Sequence, residues 1–145
     1  MKVLGIGESI IDNVFKVDRL DCGLPPIQKP EKHIGGPVLS ALIVLSRLGI
    51  DCTMLTTLGR DTEAKIIKKT LKHEHLKLLH KIQKRTKINN ILVSSQTGQR
   101  VKMRGETIHP DIKNLNRNFI RTFDFIIIDR HEKTAFFEIL EKKKP

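Results

Sequence analysis

A chain of 145 residues with 39% hydrophobic and 30% charged content is the size of one domain and can bury a core, which excludes a disordered or collagen-like polymer. Its longest apolar run, Val38 to Leu45, is interrupted by Ser40 and falls far short of the ~20 residues of a membrane span, and the N-terminus MKVLGIGESIID lacks a secretory signal, so no membrane partner is expected. Cys22 and Cys52 have no metal-like spacing and suit reduced thiols of a cytoplasmic protein, while 27 Lys and Arg against 16 acids give a net charge of +11.

Lys2 to Gly7, KVLGIG, reads as a buried strand entering a glycine turn, and Asn13 to Leu20 as a looser strand. Cys22 to Lys32 holds Gly23 and three prolines and is expected to be a loop. In HIGGPVLSALIVLSRLG, His33 to Gly49, two glycines and a proline stand directly before an apolar segment. Pro37 suits the first helical position and Gly49 the cap that ends the helix. Val38, Leu39, Ala41, Leu42, Ile43, Val44, Leu45 and Leu48 cover most of its circumference, which predicts packing on more than one side.

Asp51 to Leu58 is a second strand, closing at Gly59, and Asp61 or Thr62 caps a helix to about His73 whose inner face is Ala64, Ile67 and Leu71. A short strand spans Leu76 to Leu79. Lys87 to Ser95 and Gln99 to Arg104 make a hairpin around TGQ, with Gly98 as the turn glycine. After Pro110 a polar helix leads into FDFIIID, Phe123 to Asp129, a buried strand with an acid at its carboxyl end. Thr134 to Lys143 is a final helix with Phe136, Phe137 and Leu140 predicted inward.

Strands alternating with helices predict an α/β fold, a mostly parallel sheet with helices on both faces. The pieces at Asn13 to Leu20 and after Lys87 break the alternation and read as a small added sheet. Ligands of open α/β sheets bind beyond the carboxyl ends of the strands. Asp12, Gly35–Gly36, Gly59 and Asp129 are all placed to share that edge. Asp12 in GESIID can accept two hydrogen bonds from vicinal hydroxyls, and Gly35 and Gly36 let a polyol approach free N–H groups at a helix N-terminus.

GESIID, the Gly35–Gly36 helix ending at Gly49, and TLGRD with Gly59 and Asp61, in this order, resemble the PfkB family of carbohydrate and nucleoside kinases, the ribokinase-like fold. The resemblance implies that Asp12 is the sugar-binding acid and that Lys87 to Arg104 is a lid over the substrate. The lid strands are expected at about 13–34 and 87–105. Where many members carry Asn, this chain has Ser40, which can still hydrogen-bond. Asp129 or Glu132 falls where the family has a substrate-side residue, with a helix cap as the alternative. Arg104 is placed to contact an acidic or phosphorylated substrate, with an exposed β-edge arginine as the alternative.

The family's late D-T-x-G-A-G-D segment, with its anion hole and catalytic Asp, does not occur in residues 1–145. The resemblance therefore implies an N-terminal portion, with the C-terminal part of the fold missing. No catalytic residue is assigned, and the chain alone is expected to be inactive. ATP and Mg2+ belong to the full-length family and are not expected to bind well here. The substrate is expected to be a sugar, polyol or nucleoside, and the half-finished sheet predicts a homo-oligomer.

Other readings are weaker. GIGESI starts as G-x-G, but Ile10 replaces the third glycine and no helix follows to hold a pyrophosphate. His73, His75 and His80 lack metal-ligand spacing. Lys65 to Lys87 carries nine Lys or Arg and one Glu and would attract nucleic acid. It has no stacking aromatics, so a solvated helix face is the favoured account and a nucleic-acid-binding remnant the alternative.

Overall fold

The computed structural model describes residues 1–20, 29–107, 109–110, 112 and 115–143. The segment 21–28, within the expected loop from Cys22 to Lys32, lies outside the described residues, as do 144–145.

Two four-stranded sheets make up the fold. The first has the order β5-β4-β1-β8 and is parallel throughout. Its strands are β1 (Lys2–Ile6), β4 (Asp51–Leu58), β5 (Lys77–Ile82) and β8 (Phe125–Ile128). The second has the order β3-β2-β6-β7, from β2 (Ile10–Val17), β3 (Glu31–Gly35), β6 (Lys87–Ser94) and β7 (Arg100–Met103). In this mixed sheet β2 and β6 run parallel, while β3 and β7 flank them antiparallel. Gly98, at φ +71°, turns the β6–β7 hairpin as expected.

The alternation along β1 divides the core. Val3 joins Cys52 and Met54 under α1 (Pro37–Arg47) and α2 (Thr62–His73). Leu4, Ile6 and Leu55 face the other way, against α3 (Arg117–Arg121) and α4 (Lys133–Lys143). Helices thus cover both faces of the parallel sheet, as successive strand residues point to opposite sides. Gly5 has no side chain where Val38 and Leu42 of α1 press on β1, and a Cβ there would stand 2.5 Å from Leu42.

Three sequence expectations need correction. β2 starts at Ile10 rather than Asn13, because Ile10 and Ile11 already pair with Lys87 and Ile88 on one side and Gly35 and Ile34 on the other. Asp12 is therefore in a strand of the second sheet. α1 is buried on one face only, through Val38, Leu39 and Leu42, while Val44 and Leu48 are 56% and 72% exposed. In α4 the inner face is Ala135 and Ile139, and Phe136, Phe137 and Leu140 point outward. The smaller residues fit because α4 lies close to α3, where Phe119 and Phe123 fill the space.

Candidate functional site

The β1–β2 turn holds the two sheets together. The Ser9 amide donates to Thr56 Oγ1 of β4 at 3.0 Å. Glu8 meets Lys87, the first residue of β6, with both carboxylate oxygens 2.8 Å from Nζ. Both side chains are below 10% exposed, and Lys87 also donates to Thr107 at 3.2 Å. Removing one member of such a buried pair costs about 3–5 kcal/mol, because the other charge stays buried without its counter-ion. The pair joins the first residue of β6 to the turn that leaves β1.

Asp12 stands one pleat further along β2, opposite Asn89 of β6 and His33 of β3. Its Oδ1 accepts from Asn89 Nδ2 at 2.7 Å and lies 3.6 Å from Lys102 Nζ of β7. Asn89 Oδ1 in turn accepts from the Gly105 amide at 3.1 Å, so the asparagine has a fixed orientation. The glycines follow from this arrangement. A Cβ at Gly35 would stand 2.6 Å from Asp12 Oδ2, so its bare backbone makes room for the carboxylate. Gly36 adopts φ +119°, and a Cβ there would collide with the Glu8 carbonyl oxygen. Both glycines admit parts of this chain, and Pro37 then starts α1.

A cavity of about 690 Å3 opens between the two sheets. Asn89, Lys102 and Arg104 line its second-sheet side, Pro37 and Val38 the start of α1, and Asp129 the carboxyl end of β8. Glu8 and Lys87 close its floor. Of the expected site residues, Arg104 and Asp129 face this cavity directly. Asp12, Gly35 and Gly36 stand behind Asn89, Lys102 and Glu8. Ser40 is exposed on the first turn of α1, its amide bonded to the Gly36 carbonyl, and is not part of the lining.

Asp129 is buried and its Oδ1 accepts from the His131 amide at 3.1 Å. Glu132, 3% exposed, pairs with His109 Nδ1 at 3.0 Å, and its Oε1 is buried with no hydrogen-bond partner. Burial pushes the Glu132 carboxyl above its ordinary value, the acids Glu8 and Asp129 add to the rise, and His109 opposes it. Glu132 ends the turn that precedes α4, its carbonyl accepting from the Phe136 amide.

The Gly59-Arg60-Asp61 turn is a clasp. Asp61 caps α2 by accepting from the Ala64 amide at 2.8 Å, and it also accepts the Thr86 amide and hydroxyl at 2.6 and 2.7 Å. Burial tends to raise the Asp61 carboxyl, but the Thr86 and Ala64 hydrogen bonds outweigh it and leave the value lowered. Thr86 Oγ1 accepts from the Gly59 amide at 2.9 Å, so the turn anchors the segment leading into β6.

Sequence reasoning missed Lys87, Asn89 and Lys102. Lys87 is the last residue of a run of cations, and nothing in its spacing separates it from solvent-facing lysines. The polar residues of KINN at an apolar strand's start were the available signal for Asn89. The rest of the basic run lies mainly on exposed α2 positions and on β5. Among the described residues no group of three His, Cys, Asp or Glu is arranged to hold a metal. The space before α1, at Gly35–Gly36, is filled by the Asp12 carboxylate and the Glu8 carbonyl, so these residues do not fit a nucleotide phosphate or its metal.

No helix among the described residues is long and apolar enough to cross a membrane. The family model for pfkB family carbohydrate kinases matches residues 1–134. No curated protein matches the chain. Among solved structures, a ribokinase from Giardia lamblia is similar at 15% identity and a TM-score of 0.82, over 97% of this chain and 50% of its own. A Halothermothrix orenii fructokinase is similar at 20% identity and a TM-score of 0.76, over 99% and 55%. A PfkB family carbohydrate kinase from Listeria grayi gives 11% and 0.77, over 98% and 48%. The chain spans about half the length of the solved kinases it matches.

Proposed function

The chain belongs to the PfkB family of carbohydrate kinases, and from that premise we propose that it is the substrate-binding part of a sugar, polyol or nucleoside kinase. The complete reaction of the family moves the γ-phosphoryl group of ATP, with Mg2+, to a hydroxyl. Phosphoryl transfer rests on positioning and charge stabilisation. The D-T-x-G-A-G-D segment that supplies them in the family is not in these residues. The chain therefore binds without turning over.

The observation that carries this reading is Asp12. Its carboxylate is oriented by Asn89, which Gly105 in turn fixes, and it stands directly behind Asn89 and Lys102, which line the cavity, so a ligand that parts those two side chains reaches it. An ionised carboxylate held in this way accepts two hydrogen bonds from adjacent hydroxyls. Asp129 lies across the cavity at the end of β8 and accepts a hydroxyl from the other side. The second sheet acts as the lid, and Glu8–Lys87 sets its position.

The test is calorimetric titration of the 145-residue chain with ribose, fructose, myo-inositol and adenosine, with a coupled ADP-release assay alongside. The expected result is binding of at least one of them, weakened about tenfold or more by Asp12→Asn, in line with loss of a charged hydrogen bond, and no turnover. Binding that ignores Asp12→Asn overturns the site, and sustained sugar-dependent ADP release overturns the inactivity. Self-association is part of the proposal, because Phe136, Phe137, Leu140 and Phe125 together expose an apolar face beside the β8 edge.

A further inference from the structure

We propose that the outer edge of β5 docks an extended acidic peptide, which joins the parallel sheet there as an added strand. The surface lies away from the cavity, and the inference goes beyond the reading of the cavity as a sugar site. β5 ends the parallel sheet: β4 pairs with one of its edges, and among the described residues no strand pairs with the other. Amides and carbonyls of alternate residues therefore stand along that outer edge as a template for a second chain. The strand is KLLHKI, six residues without proline, and its register with β4 runs unbroken from Lys77 to Ile82. Leu78 and Leu79 are only half-buried and Ile82 is 50% exposed, so an added strand also covers apolar surface.

The side chains on the two faces of this edge decide the chemistry of the occupant. Leu78 packs with the core under α1 and α2, and Leu79 with the core on the side of α3 and α4. By alternation His80 shares the α2 face with Leu78, while Lys77 and Lys81 share the other face with Leu79. Burial and the nearby Lys68 of α2 hold the His80 imidazole below its ordinary value, which brings Lys68 beside this face of β5. Lys65 and Lys72 are three residues before and four after Lys68, so the three exposed lysines form one stripe along the helix. The acids around them are engaged: Asp51 by Lys77 at 2.8 Å, Glu63 by Lys32 at 2.9 Å and Glu74 by Arg47 at 2.6 Å.

Lysines on both faces of an edge strand repel a second copy of that strand. A strand bearing Glu or Asp instead meets cations whichever way its side chains point. Nucleic acid suits the surface less well, because Thr62 to Thr86 contains no Phe, Tyr or Trp on which a base could stack. The opposite edge of the sheet, at β8, has the exposed Phe125 in place of lysines, so the two edges differ in the partner they suit.

The experiment measures fluorescence anisotropy of a labelled peptide of four Glu-Val repeats against the 145-residue chain. The comparison probes are the same peptide N-methylated at every residue, a Lys-Val peptide and a single-stranded oligo-dT. The Glu-Val peptide is expected to bind, more weakly as salt rises, and the Lys-Val peptide is not. N-methylation keeps the charge and removes the backbone donors, and should weaken binding about tenfold or more, as loss of several hydrogen bonds requires. Lys65→Glu, Lys68→Glu and Lys72→Glu together should produce a similar loss, with thermal unfolding run alongside to show that the variant is folded. An N-methylated peptide that binds as tightly as its parent overturns the inference, since charge alone then accounts for the binding. Oligo-dT binding as tightly as the Glu-Val peptide also overturns it, as does no binding by the Glu-Val peptide. The N-methyl comparison uses the unaltered protein and decides the question even if the triple variant fails to fold.

Discussion

The two glycines before α1 make different demands, and alanine at each separates them. At Gly36 the backbone is at φ +119° and the added Cβ meets a main-chain oxygen, that of Glu8, which cannot swing aside. A conformation reserved for glycine costs roughly 1–3 kcal/mol and a core overlap about 1–3 kcal/mol more. The stiffer unfolded chain returns about 0.4–1 kcal/mol. The net for Gly36→Ala is about 3 kcal/mol, or roughly a 10 °C fall in Tm for a chain of this size. Gly49 is the control, with φ +82° and nothing within 4 Å of its Cβ position. It carries the backbone term alone, and Gly49→Ala is expected to cost ~1 kcal/mol. At Gly35 the obstacle is the tip of Asp12, which can move. Gly35→Ala should stay within about 1 kcal/mol of the parent in urea unfolding while losing sugar binding. If Gly36→Ala is no worse than Gly49→Ala, the close approach to Glu8 is not what requires glycine, and the reasoning fails.

Lys87→Met should destabilise the chain by about 3–5 kcal/mol, because it takes the counter-ion from the buried Glu8 carboxylate in the floor of the cavity. The double variant with Glu8→Leu should recover much of that loss in chemical denaturation, whereas additive losses would mean the pair is not coupled. Glu132, with its carboxyl raised by burial, contributes stability that is full below the ordinary glutamate value and is lost as pH rises through its folded value. Glu132→Gln is therefore expected to match the parent near pH 4 and exceed it in Tm at pH 8. A difference that does not vary with pH would refute this.

Periodicity made the parallel sheet legible because three of its four strands are short runs with their own stop signals. KVLGIG, DCTMLTTL and FDFIIID are all bounded by Gly, Asp or a cap. The second sheet was less legible. The start of β2 was obscured because Ile10 and Ile11 pair with distant strands, and only tertiary contact shows that they belong there. α4 misled for a related reason. Its largest apolar residues suggested the inner face, but packing on α3 is decided by which residues fit the gap, and Ala135 and Ile139 do. Asp12, Gly35 and Gly36 stand out in the sequence because motif spacing carries them. Lys87, Asn89 and Lys102 do not, since a buried lysine and a solvated one are the same letter until the opposing carboxylate is in place.

The connection between the sheets bears on what the chain can do. Among the described residues, Glu8–Lys87, Asp61–Thr86, Gly59–Thr86 and the Gln83 amide on the Leu58 carbonyl tie β6 and the segment before it to the parallel sheet or its helices. The first of these lines the cavity, and none involves α3 or α4. The geometry around Asp12 therefore depends on residues 1–105 and on few beyond them. Substitutions on the exposed α4 face should change association but not binding at Asp12. Changes at Thr86 or Lys87 should disturb binding without touching that face. An unchanged affinity in Thr86→Val, measured beside Phe137→Lys, would mean that the second sheet is held by something other than this clasp.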